Sequence, residues 1–147
     1  MESRSIRPKA ICVIRDGLRI LLEYNKWPTE NDIFYTPLGG EIKYGEYGAN
    51  TVRREIKEEI GADIENIRYL GFIENIFKVV DNLCHEIVLV YEADLVDKSY
   101  YEKDVIEGLE TEMDPPHPMF VYWKTLTEID EERLPLYPES LRELLGE

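Results

Sequence analysis

Through its first third the chain arranges apolar residues in short β-type runs. Ala10-Ile11-Cys12-Val13-Ile14 and Leu18-Arg19-Ile20-Leu21-Leu22 flank Asp16-Gly17, a favoured tight-turn pair, which predicts a hairpin entered at Pro8. A polar loop from Asn25 to Asp32 contains Trp27-Pro28, and Ile33-Phe34-Tyr35 reads as a short strand stopped by Pro37. After a Gly-rich stretch, Leu38 to Glu46, the period changes. Ala49, Val52, Ile56 and Ile60 repeat at helical spacing, and Gly61 sits where a C-terminal cap belongs, so a helix is predicted over Ala49 to Ile60.

Two strands follow, Ile67 to Val80 and Leu83 to Leu95, with Asp81-Asn82 as their turn. The nearly all-apolar centre of the second, Ile87 to Tyr91, predicts burial on both faces. Tyr100 to Pro118 is acidic, ends in Pro115-Pro116-His117-Pro118 and reads as a long loop. Met119 to Lys124 is a last strand. Pro138 to Leu145 is a terminal helix with Leu141, Leu144 and Leu145 on one face. Strands and helices mix without strict βαβ alternation, which predicts an α/β fold with a mixed sheet between helices.

Length and charge narrow the picture. The 147 residues fit one domain, residues 1–147, without a linker or a repeat. At this size a fold buries roughly 70% of its unfolded surface and needs no staples. Seventeen Lys and Arg against 31 Asp and Glu leave a formal net charge of −14. Such a chain does not attract a phosphate backbone in bulk, so no nucleic-acid partner is expected. A small phosphorylated ligand requires a metal ion or a local pocket that reverses the field. Cys12 and Cys84 lie in apolar runs and read as reduced core thiols; no Cys/His spacing suggests zinc. Met1-Glu2-Ser3-Arg4-Ser5 leads into no signal-like apolar stretch, and no run approaches membrane-span length, so a cytoplasmic protein without a membrane partner is expected.

The chemistry concentrates on the predicted helix. At about 100° per residue, Glu55, Glu58 and Glu59 fall within one sector roughly 100° wide, beside the apolar stripe. Three anions at this spacing repel unless neutralised. Arg54 and Lys57 screen them in part, and a hard divalent ion such as Mg²⁺ suits three oxygen donors better. Alone, the three would be read as an ordinary solvated acidic face.

They are preceded at fixed distances by Gly40, five residues, Glu46, seven residues, and then Arg54-Glu55-Ile56-Lys57-Glu58-Glu59-Ile60-Gly61. This is the pattern G-x5-E-x7-R-E-U-x-E-E-x-G-U, where U is bulky and aliphatic. Gly40, Glu46, Arg54, Glu55, Glu58, Glu59 and Gly61 match every fixed position, and Ile56 matches the first U. Chance agreement at all of these is on the order of one in a million by composition. Ala62, smaller than the usual final U, is the one departure and touches packing rather than the acids. The chain therefore resembles the Nudix hydrolases, the MutT-like family, with its box at 40–62. The resemblance extends to Pro37-Leu38-Gly39-Gly40, the flanking strands and Tyr122-Trp123-Lys124.

The resemblance implies an α/β/α sandwich around a mixed sheet. It also implies Mg²⁺-dependent hydrolysis, with Mn²⁺ as a possible substitute, of a diphosphate linkage in a small nucleotide by water attack on phosphorus. Carried over, Glu58 and Glu59 are the principal metal ligands, and Glu55 is a further ligand or the general base. Gly39 supplies a backbone carbonyl, and Arg54 orients the acids through a charge-assisted bond to Glu46. Lys57, at the variable position, faces solvent. A further carboxylate often completes such sites, and Glu107, Glu110 and Glu112 are open candidates. His85 stands beside the presumed cleft. Tyr35, Phe77, Tyr91 and Trp123 are candidate stacking residues, although core packing is the better explanation for any one of them. Nucleoside triphosphates (oxidised ones included), ADP-ribose-like nucleotides and dinucleoside polyphosphates all fit the box, and many members are homodimers. A nucleotide-binding module without turnover is the competing class, but such domains usually lose box glutamates and this chain keeps all of them.

Overall fold

The computed structural model describes residues 4–146; Met1, Glu2 and Ser3 of the leader reading lie outside the described residues. Eight strands form one mixed sheet. In chain order they are β1 (Ile6–Asp16), β2 (Arg19–Lys26), β3 (Ile33–Thr36), β4 (Leu38–Glu41), β5 (Ile64–Val79), β6 (Asn82–Leu95), β7 (Val105–Glu110) and β8 (His117–Thr125). The strand order is β5-β6-β1-β2-β8-β7, with β3 added to β2 and β4 to β1. Only β1 and β6 run parallel; the other pairs are antiparallel. Helix α1 (Gly48–Ile60) covers one face, and α2 (Leu126–Glu132) and α3 (Leu141–Leu144) the other. The expected α/β/α sandwich with a mixed sheet is the architecture found.

The alternation of strand side chains builds the two cores. Ala10, Cys12 and Ile14 of β1 point to the α1 side, with Leu21, Val52, Ile56, Ile106, Val121 and Trp123. Ile11 and Val13 point to the other side, with Leu22, Val88, Val90, Ile129 and Leu141. The run Ala10 to Ile14 is continuously apolar because helices cover both faces of that strand. Strands β1 and β2 pair only at Arg15↔Ile20 and Asp16↔Arg19 and then diverge, so β4 lines one side of the opening and β3 the other.

Several local expectations are corrected. Both hairpin turns sit one residue from the predicted pairs: Asp16↔Arg19 closes Gly17-Leu18, and Val79↔Asn82 closes Val80-Asp81. The glycine at φ +62 therefore occupies the first central position. The Gly-rich stretch begins with β4, which pairs through backbone groups that glycines leave open. The acidic loop is not a loop throughout: it holds a 3₁₀ turn (Lys98–Glu102) and β7, which pairs with β8. Only Val90 and Val88 of the β6 centre are fully buried; Ile87, Leu89 and Tyr91 on the α1 side are half-covered, since α1 is too short to roof that end. Cys12 is buried, with burial pushing its thiol up to about 12, but Cys84 is only half-buried. Helix α2 was not anticipated, although Thr125 and Glu128 form its capping box. The terminal helix contracts to α3. Among the described residues no helix is long and apolar enough to cross a membrane.

Strand β7 approaches α1 so closely that a methyl group on Gly108 would overlap the backbone carbonyl oxygen of Glu59. Gly108→Ala is therefore expected to destabilise the fold by about 1–3 kcal/mol through overpacking. Leu109→Ala, at the adjacent exposed position, should stay within about 0.5 kcal/mol. Urea unfolding of the two variants measures the difference.

Candidate metal and catalytic site

The loop before α1 is fixed by its own acid. Gly45 at φ +81 turns the chain, and Glu46 Oε1 accepts the Lys43 N–H at 3.2 Å and the Thr51 hydroxyl at 2.8 Å. Gly61 ends the helix at φ +74, its N–H donating to the Lys57 carbonyl at 3.0 Å. The Tyr100 hydroxyl donates to the freed Ile60 carbonyl at 3.1 Å.

The three box glutamates do not share one exposed face. Glu55 and Glu59 are 3% and 4% exposed, whereas Glu58 is open to solvent. Helical geometry gives the reason: Glu59 lies only about 20° around the axis from Val52, inside the buried stripe, and Glu58 lies on the outer side of Glu55.

Arg54 gathers the acids. Its Nε donates to Glu46 Oε2 at 2.8 Å and its Nη2 to Glu46 Oε1 at 3.0 Å, a bidentate pair. Nη1 donates to Glu55 Oε1 at 2.8 Å and to Glu58 Oε2 at 3.4 Å, and Nη2 to the Glu41 carbonyl at 3.2 Å. Glu112 Oε1 lies 3.8 Å from the same Nη1. The guanidinium, first through its hydrogen bond, holds the Glu46 carboxyl down at about 2.

Around this cation Glu55, Glu58 and Glu112 each offer an oxygen, all within 4.8 Å of one another. Among the open candidates Glu112 is thus at the cluster. Glu110 points to the α1 side of β7, while Glu107 alternates to the opposite side of the sheet. Glu59 Oε1 is buried with no hydrogen-bond partner among the described residues. Burial, then Glu23, Glu55, Glu110 and Glu112, pushes its carboxyl up to about 10. Burial also raises Glu55, opposed by the Arg54 bond and reinforced by Glu112.

Glu23 was missed by sequence reasoning. It projects from β2 beyond the point where β1 and β2 part, on the α1 side with Leu21. Burial and then Glu110 push its carboxyl up to about 7, while Lys9 pulls it down. The available signal was a lone acid two positions from Leu21 in an alternating strand.

The glycines before the helix are fitted to backbone and acid. A methyl on Gly39 would overlap the Ala10 carbonyl oxygen, and one on Gly40 would overlap the Glu55 carboxyl group. Lys57 is exposed and pairs with Asp63 at 3.3 Å. His85 lies away from the cluster, lining a hollow with Arg4, Lys78 and Leu83. Tyr35 is buried and donates its hydroxyl to Glu132 at 2.6 Å, and Trp123 is buried against Tyr101. Tyr91 packs beside Gly48, and Phe77 pairs across the hairpin with Cys84. Tyr35 and Trp123 are thus core residues, while Tyr91 and Phe77 are half-buried. The donor set is all hard oxygen, and one buried oxygen lacks a partner, which fits a hard divalent cation.

A sequence model described as the NUDIX domain matches residues 6–142. The NAD-capped RNA hydrolase NudC of Haemophilus influenzae (strain PittEE) is 39% identical over 67 residues, 45% of this chain and 25% of that protein. NudC of Mycobacterium bovis (strain BCG / Pasteur 1173P2) is 37% identical over 72 residues, 48% of this chain and 22% of that protein. The chain thus spans about a quarter of the length of these curated relatives. The crystal structure of a MutT NUDIX hydrolase from Burkholderia pseudomallei superposes with a TM-score of 0.65 at 19% identity, over 97% of this chain and 98% of that one. A NUDIX hydrolase from Nitrosomonas europaea gives 0.70 at 16% identity, over 97% and 87%. At such identities the structures share the fold.

Two outcomes are expected from this geometry. Gly40→Ala should displace the Glu55 carboxylate and weaken divalent-cation binding, read by titration calorimetry, while the melting temperature changes little. The second concerns pH in chelator. Glu59, Glu55 and Glu23 are raised above the unfolded value near 4.3, so between about pH 5 and 8 the folded state holds more protons than the unfolded one. Stability of the metal-free protein should therefore fall as pH rises across that window. The lowered Glu46 contributes a constant amount there, because it and its unfolded counterpart are both ionised. Melting temperatures that stay level or climb from pH 5 to 8 would contradict this.

Proposed function

Because the chain belongs to the Nudix family of hydrolases, which act on pyrophosphate bonds, we propose that it is a Mg²⁺-dependent pyrophosphohydrolase of a small nucleotide. The observation that carries the reading is the convergence of Glu55, Glu58 and Glu112, whose oxygens lie within 4.8 Å of one another; Glu59, with its orphaned Oε1, stands outside that group but feels the charge of Glu55 and Glu112. Glu55, Glu58, Glu59 and Glu112 would hold the cation, with the Gly39 carbonyl as a further donor. When bound, the cation supplies neutralisation of the diphosphate oxygens and acidifies water. Mn²⁺ satisfies the same oxygens.

The protein's own work is positioning. Arg54 fixes Glu55 and Glu58 through Nη1 while Glu46 fixes Arg54 from the other side, so the acids keep their place as charge shifts during the reaction. Gly40 lets the Glu55 carboxyl lie against the backbone of β4. A buried carboxylate of this set, Glu55 or Glu59, takes the proton released when water attacks phosphorus. The phosphate on the far side of the linkage leaves.

For the substrate, the named activity of the NudC relatives makes a dinucleotide diphosphate such as NAD the first compound to test. A capped RNA body gains nothing from a chain of net charge −14. Nucleoside triphosphates and ADP-ribose complete the panel. A binding module without turnover is disfavoured by the intact glutamates.

Product release from this panel with Mg²⁺, Mn²⁺ and chelator tests the reading. Chelation should abolish turnover and Mg²⁺ restore it. Glu58→Gln and Glu59→Gln should each cost roughly 10²-fold or more in kcat. The metal-free fold should be as stable or slightly more so, since Glu58→Gln removes one of several clustered anions and Glu59→Gln replaces a carboxyl that burial already keeps protonated. Lys57→Gln should change neither. Full turnover in excess chelator, or parent rates in both glutamine variants, would overturn the assignment.

A further inference from the structure

Strand β5 is a free edge: among the described residues it pairs with β6 alone. After the bulge between Tyr69 and Gly71, its pairing is regular from Gly71 to Val79. Along that stretch Ile73 turns into the core, and Phe72, Glu74, Ile76 and Lys78 stand exposed on the α1 side of the sheet, beyond the end of the helix. Phe72 is 59% and Ile76 58% exposed, and Val80 follows in the turn at 79%. An exposed apolar edge is a template for pairing with another chain.

The charges on this edge are what select the partner. Phe72 to Val80 contains one acid, Glu74, and one base, Lys78, so it is locally neutral on a chain of net charge −14. Among the described residues neither side chain has an ion-pair or side-chain hydrogen-bond partner. Four positions apart on one strand they are separated by about 13 Å and cannot satisfy each other. A second copy can satisfy both.

We propose that β5 pairs antiparallel with β5 of a second copy about a twofold axis at Ile76. In that register Ile76 meets Ile76, Glu74 of each copy meets Lys78 of the other, and Phe72 meets Val80. Every exposed side chain then gains a partner of its own kind, and the two opposite-charge pairs form together. Moving the axis to Asn75 sets Glu74 against Ile76 and Lys78 against Phe72. Moving it to Phe77 sets Lys78 against Ile76 and Glu74 against Val80. Only the axis at Ile76 matches charge with charge. The occupant of the edge is therefore this chain itself, and the pairing extends the sheet across the twofold without touching the acidic cluster.

Sedimentation equilibrium of the whole chain and its charge variants tests this. The parent should dimerise. Lys78→Glu and Glu74→Lys should each weaken the dimer at least about tenfold, and the double exchange should restore it. Glu74→Lys is the discriminating variant, because it makes the chain less acidic and would strengthen any association limited by overall repulsion. Melting curves confirm that each variant is folded. In a Cys84→Ser background, Ile76→Cys should form an intermolecular disulfide under mild oxidation. Phe72→Cys should not, since its two copies would stand about 26 Å apart. A parent that stays monomeric at about 100 μM, a Glu74→Lys variant that associates as well as the parent, or equal cross-linking at positions 72 and 76 would overturn the proposal.

Discussion

The guanidinium of Arg54 is the fixed point of the acidic centre. It spans Glu46 on the loop, Glu55 and Glu58 on the helix and the Glu41 carbonyl on β4, and it lies near Glu112 beyond β7. One planar cation with several fixed donors can hold acids from separate chain segments at set distances, which a lysine ammonium cannot do. Burying carboxylates without such a partner is unfavourable. The raised Glu59, out of Arg54's reach and with one oxygen unsatisfied, carries that strain. The acidic centre is thus held together at a cost to its own stability.

Backbone proximity is the second constraint. Gly40 gives room to the Glu55 carboxyl, Gly108 to the Glu59 carbonyl and Gly39 to the Ala10 carbonyl. Strands β4 and β7 are thereby brought against one helix, and β4 against β1, at closer range than any side chain permits. The separation of β1 from β2 matters equally, because it opens the sheet where Glu23, Glu59 and Glu110 come near one another. Stability is distributed elsewhere, over two apolar cores on the two faces of the sheet.

Much of this was legible in the chain itself. The fold class, the box helix, the long hairpin of β5 and β6 and the apolar strand at Ala10 to Ile14 follow from local periodicity. The chemistry of the box follows from spacing, since residues three and four apart on a helix are neighbours whatever surrounds them. The bond from Arg54 to Glu46 was implied by the family resemblance and is present in the structure. What failed was local in appearance and tertiary in cause. Strand β7 looked like acidic loop because Glu107 and Glu110 interrupt its apolar residues, and β8 alone supplies its register. Helix α2 carries a capping box but too short a pattern to announce itself.

By itself, then, the sequence determined most of the elements and the identity of the box acids, because helical spacing and strand alternation are properties of neighbouring residues. It could not decide which acids meet. Glu112 joins Glu55 and Glu58 while Glu107 turns away, and Glu23 enters from a strand far from the box. Nor could it decide that Glu59 is buried and Glu58 open, since the same helix floating free would expose both. Those outcomes depend on which strands lie over the helix and at what register. A one-residue shift of β7 would exchange Glu110 for a residue on the opposite face. Only the packed sheet fixes that register, because burial of Ile106 and Val121 on one side leaves no other.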